Sequence, residues 1–176
     1  MSGRASVRER LAAGPKRGLG EANSIAAQAA RDEKTLAELV AALKDDRAAV
    51  VSRAANALKK VQQMRPEALQ PHAKRILRAA MASQELRARW NLTVAVGGLE
   101  LRGRDRALAV ELMFDALRSE SAFLRTFAMQ GLWELAKGDS ALMQRVRPMV
   151  QEFATTGTAA MRARARKLLA DNRGQH

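Results

Sequence analysis

The chain has 176 residues, 47% of them hydrophobic and only 3% aromatic, so Ala and Leu must fill most of a single core of ordinary size. The absence of Cys excludes disulfides and thiolate metal sites, and two histidines, His72 and His176, are too few for a metal cluster, so no metal and no cofactor is expected. A net charge of +13 is spread along the chain, which requires a positive folded surface and invites anionic partners.

Residues 1–22 combine Arg, Gly and Pro without an apolar stripe and read as a flexible basic arm. Ser2 and Ser6 with Arg4, Arg8 and Arg10 would also suit an organelle transit peptide, while Glu9 and the Gly14-Pro15 break favour a plain arm, and no long apolar stretch marks a secretory signal. No run of 18 apolar residues occurs, so no membrane span is expected and the cytoplasm is the default location. Residues 23–176 read as one helical domain. Asn23 or Ser24 caps a first helix running to about Arg31. Thr35 and Glu38 have the spacing of a capping box, opening a helix with Leu36, Leu39, Val40 and Leu43 on one face.

Four segments then share one pattern. Val50, Leu86, Leu124 and Met161 each begin a run with apolar or small residues four, seven and eight places on and usually an apolar one eleven on, ending at Val61, Gly97, Leu135 and Asn172. These offsets mark one stripe of an α-helix, and their recurrence at about 37-residue intervals is the mark of a stacked repeat. Each segment has the plan helix, polar turn, helix, with turns at Lys44-Asp45-Asp46, Ser83-Gln84-Glu85, Ser119-Glu120-Ser121 and Thr155–Thr158. Gly97-Gly98 suggests close packing or a kink, and Gly138-Asp139-Ser140 supplies a stop and a new cap. The fold class is all-α, with about four helix pairs and an extra N-terminal helix.

The string from Phe123-Leu124-Arg125 to Trp133-Glu134-Leu135 resembles the second helix of a HEAT repeat. Arg87, Arg125 and Arg162 stand where that family places an Arg after the first apolar residue, and Val51 departs from it. Pro148 fits the family's first-helix proline, Pro71 is two places off, and the turn aspartate is matched only by Asp45 and Asp46. The resemblance spans roughly residues 35–172. It implies a right-handed superhelical solenoid whose second helices line the concave side, binding proteins in most members and nucleic acid in some.

Offsets five, six and nine point away from the stripe at about 100° per residue. They supply concave-face candidates for a protein partner: Asn56, Lys59, Asn91, Gln130, Trp133 and Lys167. Trp133 is either an exposed anchor or a side chain packed on a neighbouring helix. Arg53, Arg89 and Arg164 share offset three, and with Arg87, Arg125 and Arg162 they form a candidate phosphate-binding ladder. The alternative is that these arginines bond turn carbonyls or carboxylates of an adjacent repeat. Catalytic signatures are missing: there is no HExxH, no Gly-rich phosphate loop and no local Ser/His/Asp signature. The expected function is a non-enzymatic HEAT-like scaffold that binds a partner protein. The alternative is a module for duplex DNA backbone, with a HEAT-like glycosylase of alkylated bases third, on fold analogy alone.

Overall fold

Apolar stripes separated by polar breaks give ten α-helices, and no strand, over residues 5–14 and 18–171, which the computed structural model describes. The chain forms two compact units, Met1–Leu101 and Arg102–His176, where the sequence reading has an arm over 1–22 and one domain over 23–176. The first unit contains α1 (Val7–Ala12), α2 (Ala22–Ala29), α3 (Glu33–Ala41), α4 (Ala48–Met64), α5 (Ala73–Ala82) and α6 (Leu86–Val96). Short 3-10 segments at Ala42–Lys44 and Pro66–His72 precede α4 and α5. The second unit contains α7 (Gly103–Ala116), α8 (Ala122–Ala136), α9 (Ser140–Thr156) and α10 (Ala159–Asp171).

Helix α4 is the centre of the first unit, packing on α1, α2, α3, α6 and both 3-10 segments. Its expected stripe of Val50, Ala54, Ala57, Leu58 and Val61 is buried throughout. Ala55, expected to face away, is buried as well, because neighbours cover α4 on more than one side. In the second unit α8 holds the equivalent place, packing on α7, α9 and α10. Leu124, Ala128 and Leu132 are buried there as the stripe predicts, and so is Met129 on the opposite flank.

The stripe of α6 holds in its second half and fails at its start. Thr93 and Val94 are buried as expected, together with Ala88, Leu92, Ala95 and Val96 on the other flanks, while Leu86 is 59% exposed. The helix ends at Val96, so Gly97-Gly98 terminates it rather than kinking it. Gly98 packs against Gln62 of α4 so closely that a Cβ would lie 2.2 Å from Nε2. In α10, Met161, Ala165 and Leu168 are buried and Arg166 and Lys167 are exposed, as expected. Asn172, the last stripe position, lies outside the described residues.

The start of α3 differs from expectation because a nearby carboxylate outcompetes the hydroxyl, whereas the start of α9 follows the expected stop and cap. Asp32, not Thr35, caps α3, accepting a hydrogen bond from the Thr35 amide at 3.0 Å. Glu38 is thereby free to reach the N-terminal segment, where it accepts from the Val7 amide at 3.3 Å. Asp139 caps α9 through the Leu142 amide, following Gly138 at φ +75°.

Residues 5–14 are folded, contrary to the flexible-arm expectation. Ser6 and Glu9 form a reciprocal capping box at the start of α1, and Val7 and Leu11 are buried against α3 and α4. Two apolar residues in a short helix are too few to announce a stripe. The core assignment is checked by Leu132→Ala, which is expected to cost about 2–5 kcal/mol in urea denaturation, against less than about 0.5 kcal/mol for Leu86→Ala.

Candidate functional site

The arginines expected to track phosphate do different work. Arg53, midway along α4, is 4% exposed. It donates through Nη1 to the Leu11 carbonyl at 2.6 Å and through Nε to the Gly18 carbonyl at 3.1 Å. A Cβ at Gly14 would stand 2.8 Å from its guanidinium carbon, so the N-terminal segment closes over the charge only because that residue is glycine. Arg53 is thus a staple for the segment around α1, a correction to the phosphate assignment. Arg162 donates to the Gly157 carbonyl at 2.7 Å, the turn-bonding alternative for its position. Arg125, Arg89 and Arg164 are half-buried, Arg125 with a buried Nε that makes no hydrogen bond, and Arg87 is exposed.

The same use of arginine recurs outside the expected ladder. Arg65 donates to the Ala30 carbonyl just past α2, and Arg106 to the Leu135 carbonyl near the end of α8 and to Asp139. Leu11, Ala30, Leu135 and Gly157 all lie at or just beyond the C-terminal turn of a helix. Carbonyls there lack an intrahelical partner and carry partial negative charge, so a guanidinium satisfies both needs. Part of the positive excess is consumed internally.

The concave-face candidates divide similarly. Trp133 is 2% exposed, with the Arg147 guanidinium 5.7 Å from its ring centroid, so it packs and does not anchor a partner. Asn56, Lys59, Asn91 and Gln130 are half-buried, and Lys167 is open to solvent. Asn56 and Lys59 on α4 share a unit with Asn91 on α6, while Gln130 on α8 shares the other with Lys167 on α10. Burial, with the charge of Lys60 beside it, pulls the Lys59 ammonium below its ordinary pKa. His72 is half-buried at the start of α5, and burial, with Arg75 nearby, lowers its pKa.

Asp45 is the most tightly held carboxylate. Its side chain is 1% exposed and accepts from the Arg47 amide, Nε and Nη2 at 2.8–2.9 Å and from Arg8 Nε. The hydrogen bonds from Arg47 hold its carboxyl far below the ordinary carboxylate range, against the opposing effect of burial.

A groove in the first unit escaped the sequence reading. It encloses about 350 Å³ between the end of α3 and α5. Val40, Leu43 and Lys44 form one wall, and Arg75, Arg78, Ala79 and Ala82 form the other. Both sets follow helical spacing, and Val51 of α4 and Leu92 of α6 complete the apolar lining. Ala79 and Ala82 leave the space open because they carry nothing beyond Cβ. Lys44, Arg75 and Arg78 are exposed, and among the described residues none forms an ion pair. No acidic residue lines the groove. The signal in the sequence was an α5 with Lys74, Arg75 and Arg78 on its exposed face and no acidic residue.

Among the described residues no helix is long and apolar enough to cross a membrane, and no group of three or more His, Asp or Glu is placed to hold a metal ion. No protein-family model matches the chain, and no curated protein matches it.

Two outcomes are expected. Arg53→Ala should destabilise the chain by about 2–3 kcal/mol, since the buried Leu11 carbonyl and the part-buried Gly18 carbonyl lose a charged donor, and should raise amide hydrogen exchange over residues 7–12. Asp45 has its folded pKa below its unfolded value of about 3.9, so its stabilisation is complete above that pH and is lost as pH falls toward the folded value. Asp45→Asn should therefore lower the melting temperature at pH 7, with the gap from wild type closing progressively below about pH 4.

Proposed function

We propose that this chain is a non-enzymatic scaffold of HEAT-like helix pairs, arranged as a right-handed superhelical stack, that holds a partner protein on its helical surface. The observation that carries the reading is apolar: Leu86, 59% exposed, and Phe123, 49% exposed, stand in the first turns of α6 and α8. A large apolar side chain left open near a helix start in each unit favours a protein surface over a phosphate backbone as the ligand, although Leu124, the repeat equivalent of Leu86, is buried. Helices that bury α4 and α8 on several sides make a rigid support, so little ordering cost falls on the scaffold when a partner binds. Of the concave-face residues, Asn56, Lys59, Asn91, Gln130 and Lys167 stay in the proposal as its polar part, and Trp133 leaves it.

Duplex DNA is the competing ligand, drawing on the net charge of +13. The ladder that favoured it is weakened, because Arg53 and Arg162 spend their donors on carbonyls of their own chain.

The test pairs two measurements. Leu86→Ser with Phe123→Ser should reduce recovery of proteins crosslinked to the chain in its native host at least about tenfold, with unfolding free energy kept within about 1 kcal/mol of wild type. A duplex titration at about 50 and 200 mM salt should show no saturable binding. Saturable binding that weakens by orders of magnitude between those salts would transfer the function to nucleic acid.

A further inference from the structure

The cationic groove of the first unit has two properties that rarely serve the same small ligand. Its lining is apolar, from Val40, Leu43, Val51, Ala79, Ala82 and Leu92, and its rim carries Lys44, Arg75 and Arg78 with no acidic residue among the lining. The acidic residues that follow Lys44 in sequence are Asp45, already held by Arg47 and Arg8, and Asp46, which does not line the groove. A phosphate backbone would satisfy the rim and leave the apolar lining wet. An uncharged apolar peptide would fill the lining and leave three cations without partners.

We infer that the groove between α3 and α5 receives an acidic amphipathic helix of a partner protein, a proposal that rests on the scaffold reading above. Apolar residues on one face of that helix enter between the walls, and carboxylates beside them meet Lys44, Arg75 and Arg78. The geometry suits a helix because the walls are themselves helical stripes, and Ala79 and Ala82 leave room for large side chains from the incoming chain. Apolar anchors spaced three and four residues apart are the ordinary way one helix fills a groove on another surface. The volume of about 350 Å³ admits only a few such side chains, so the site grips a short segment, and the charges set its orientation and association rate.

The experiment uses the full chain, isotopically labelled, with a synthetic helical peptide carrying Leu at i, i+3, i+4 and i+7 and Glu at the flanking positions. NMR shift changes should concentrate on Leu43, Val51, Ala79 and Ala82. Arg75→Glu with Arg78→Glu should weaken binding by about tenfold or more, through like-charge contact with the peptide. Ala82→Trp, at an exposed position, fills the groove mouth and should weaken the peptide by about as much. A peptide with Leu replaced by Ser, an all-Glu peptide and a DNA duplex should each perturb these residues at least about tenfold more weakly.

The inference is overturned if the Leu/Glu peptide does not bind, if its shift changes lie elsewhere, or if neither variant weakens it. Equal binding of the all-Glu peptide also overturns it, leaving a plain anion patch, and effective competition by duplex assigns the cations to nucleic acid. The two proposals fail separately. If the groove variants leave peptide affinity unchanged while Leu86→Ser with Phe123→Ser still releases crosslinked proteins, the groove inference alone is lost.

Discussion

Close approach of helices to α4 is the constraint on which the first unit depends. Ala54, Ala55 and Ala57 are completely buried there and present only methyl groups over most of one turn. Small side chains let neighbouring backbones come near enough to cover α4 on several sides, at interior packing density, in a chain with few aromatics to fill wider gaps. Larger residues at those three positions would push α2 or α6 away, and α6 carries Leu92 of the groove lining. Helix α8 solves the same problem differently, with Ala128 and Gly131 beside Leu132 and Trp133, all buried.

Coverage on several sides creates a second demand, because helix ends brought against other helices still need donors for their last carbonyls. Arginine meets it repeatedly here. Arg53, Arg65, Arg106 and Arg162 each reach a carbonyl at or just beyond the end of a helix, and Arg53 draws the N-terminal segment onto the core in doing so. A guanidinium suits the task because its several donors are held in a rigid planar fork, where a lysine would offer a single flexible head. A high arginine content is therefore not by itself a nucleic-acid signal in such a fold. What bears on partners is the subset without internal carboxylate partners, and in the groove that subset sits above an apolar lining.

Local sequence was enough for much of this. Helical periodicity identified α4, α8 and α10 and the stripe of each, and polar clusters marked the turns before α6 and α8, because these depend on residues within a few places of one another. Periodicity assigns one buried stripe per helix, however. It could not show that Ala55, Met129 and Trp133, on the other flank, are buried too, or that α6 turns Leu86 outward. Those outcomes depend on how many neighbours a helix has. The arm reading of residues 1–22 failed over 5–14 because the interaction that folds them comes from Arg53, far along the chain.

The candidate sites divide along the same line. Periodicity determined an all-helical chain, and composition determined one without thiolate chemistry and with a net charge of +13. Only tertiary structure decided which cations face solvent, since burying a guanidinium requires carbonyl acceptors that no local window contains. The groove likewise needed α3 and α5 side by side, bringing Lys44 near Arg75 and Arg78 over Val51 and Leu92. A one-dimensional pattern records which residues share a helix face. Which faces meet is set by the packing of whole helices, and that choice placed charge and apolar surface together.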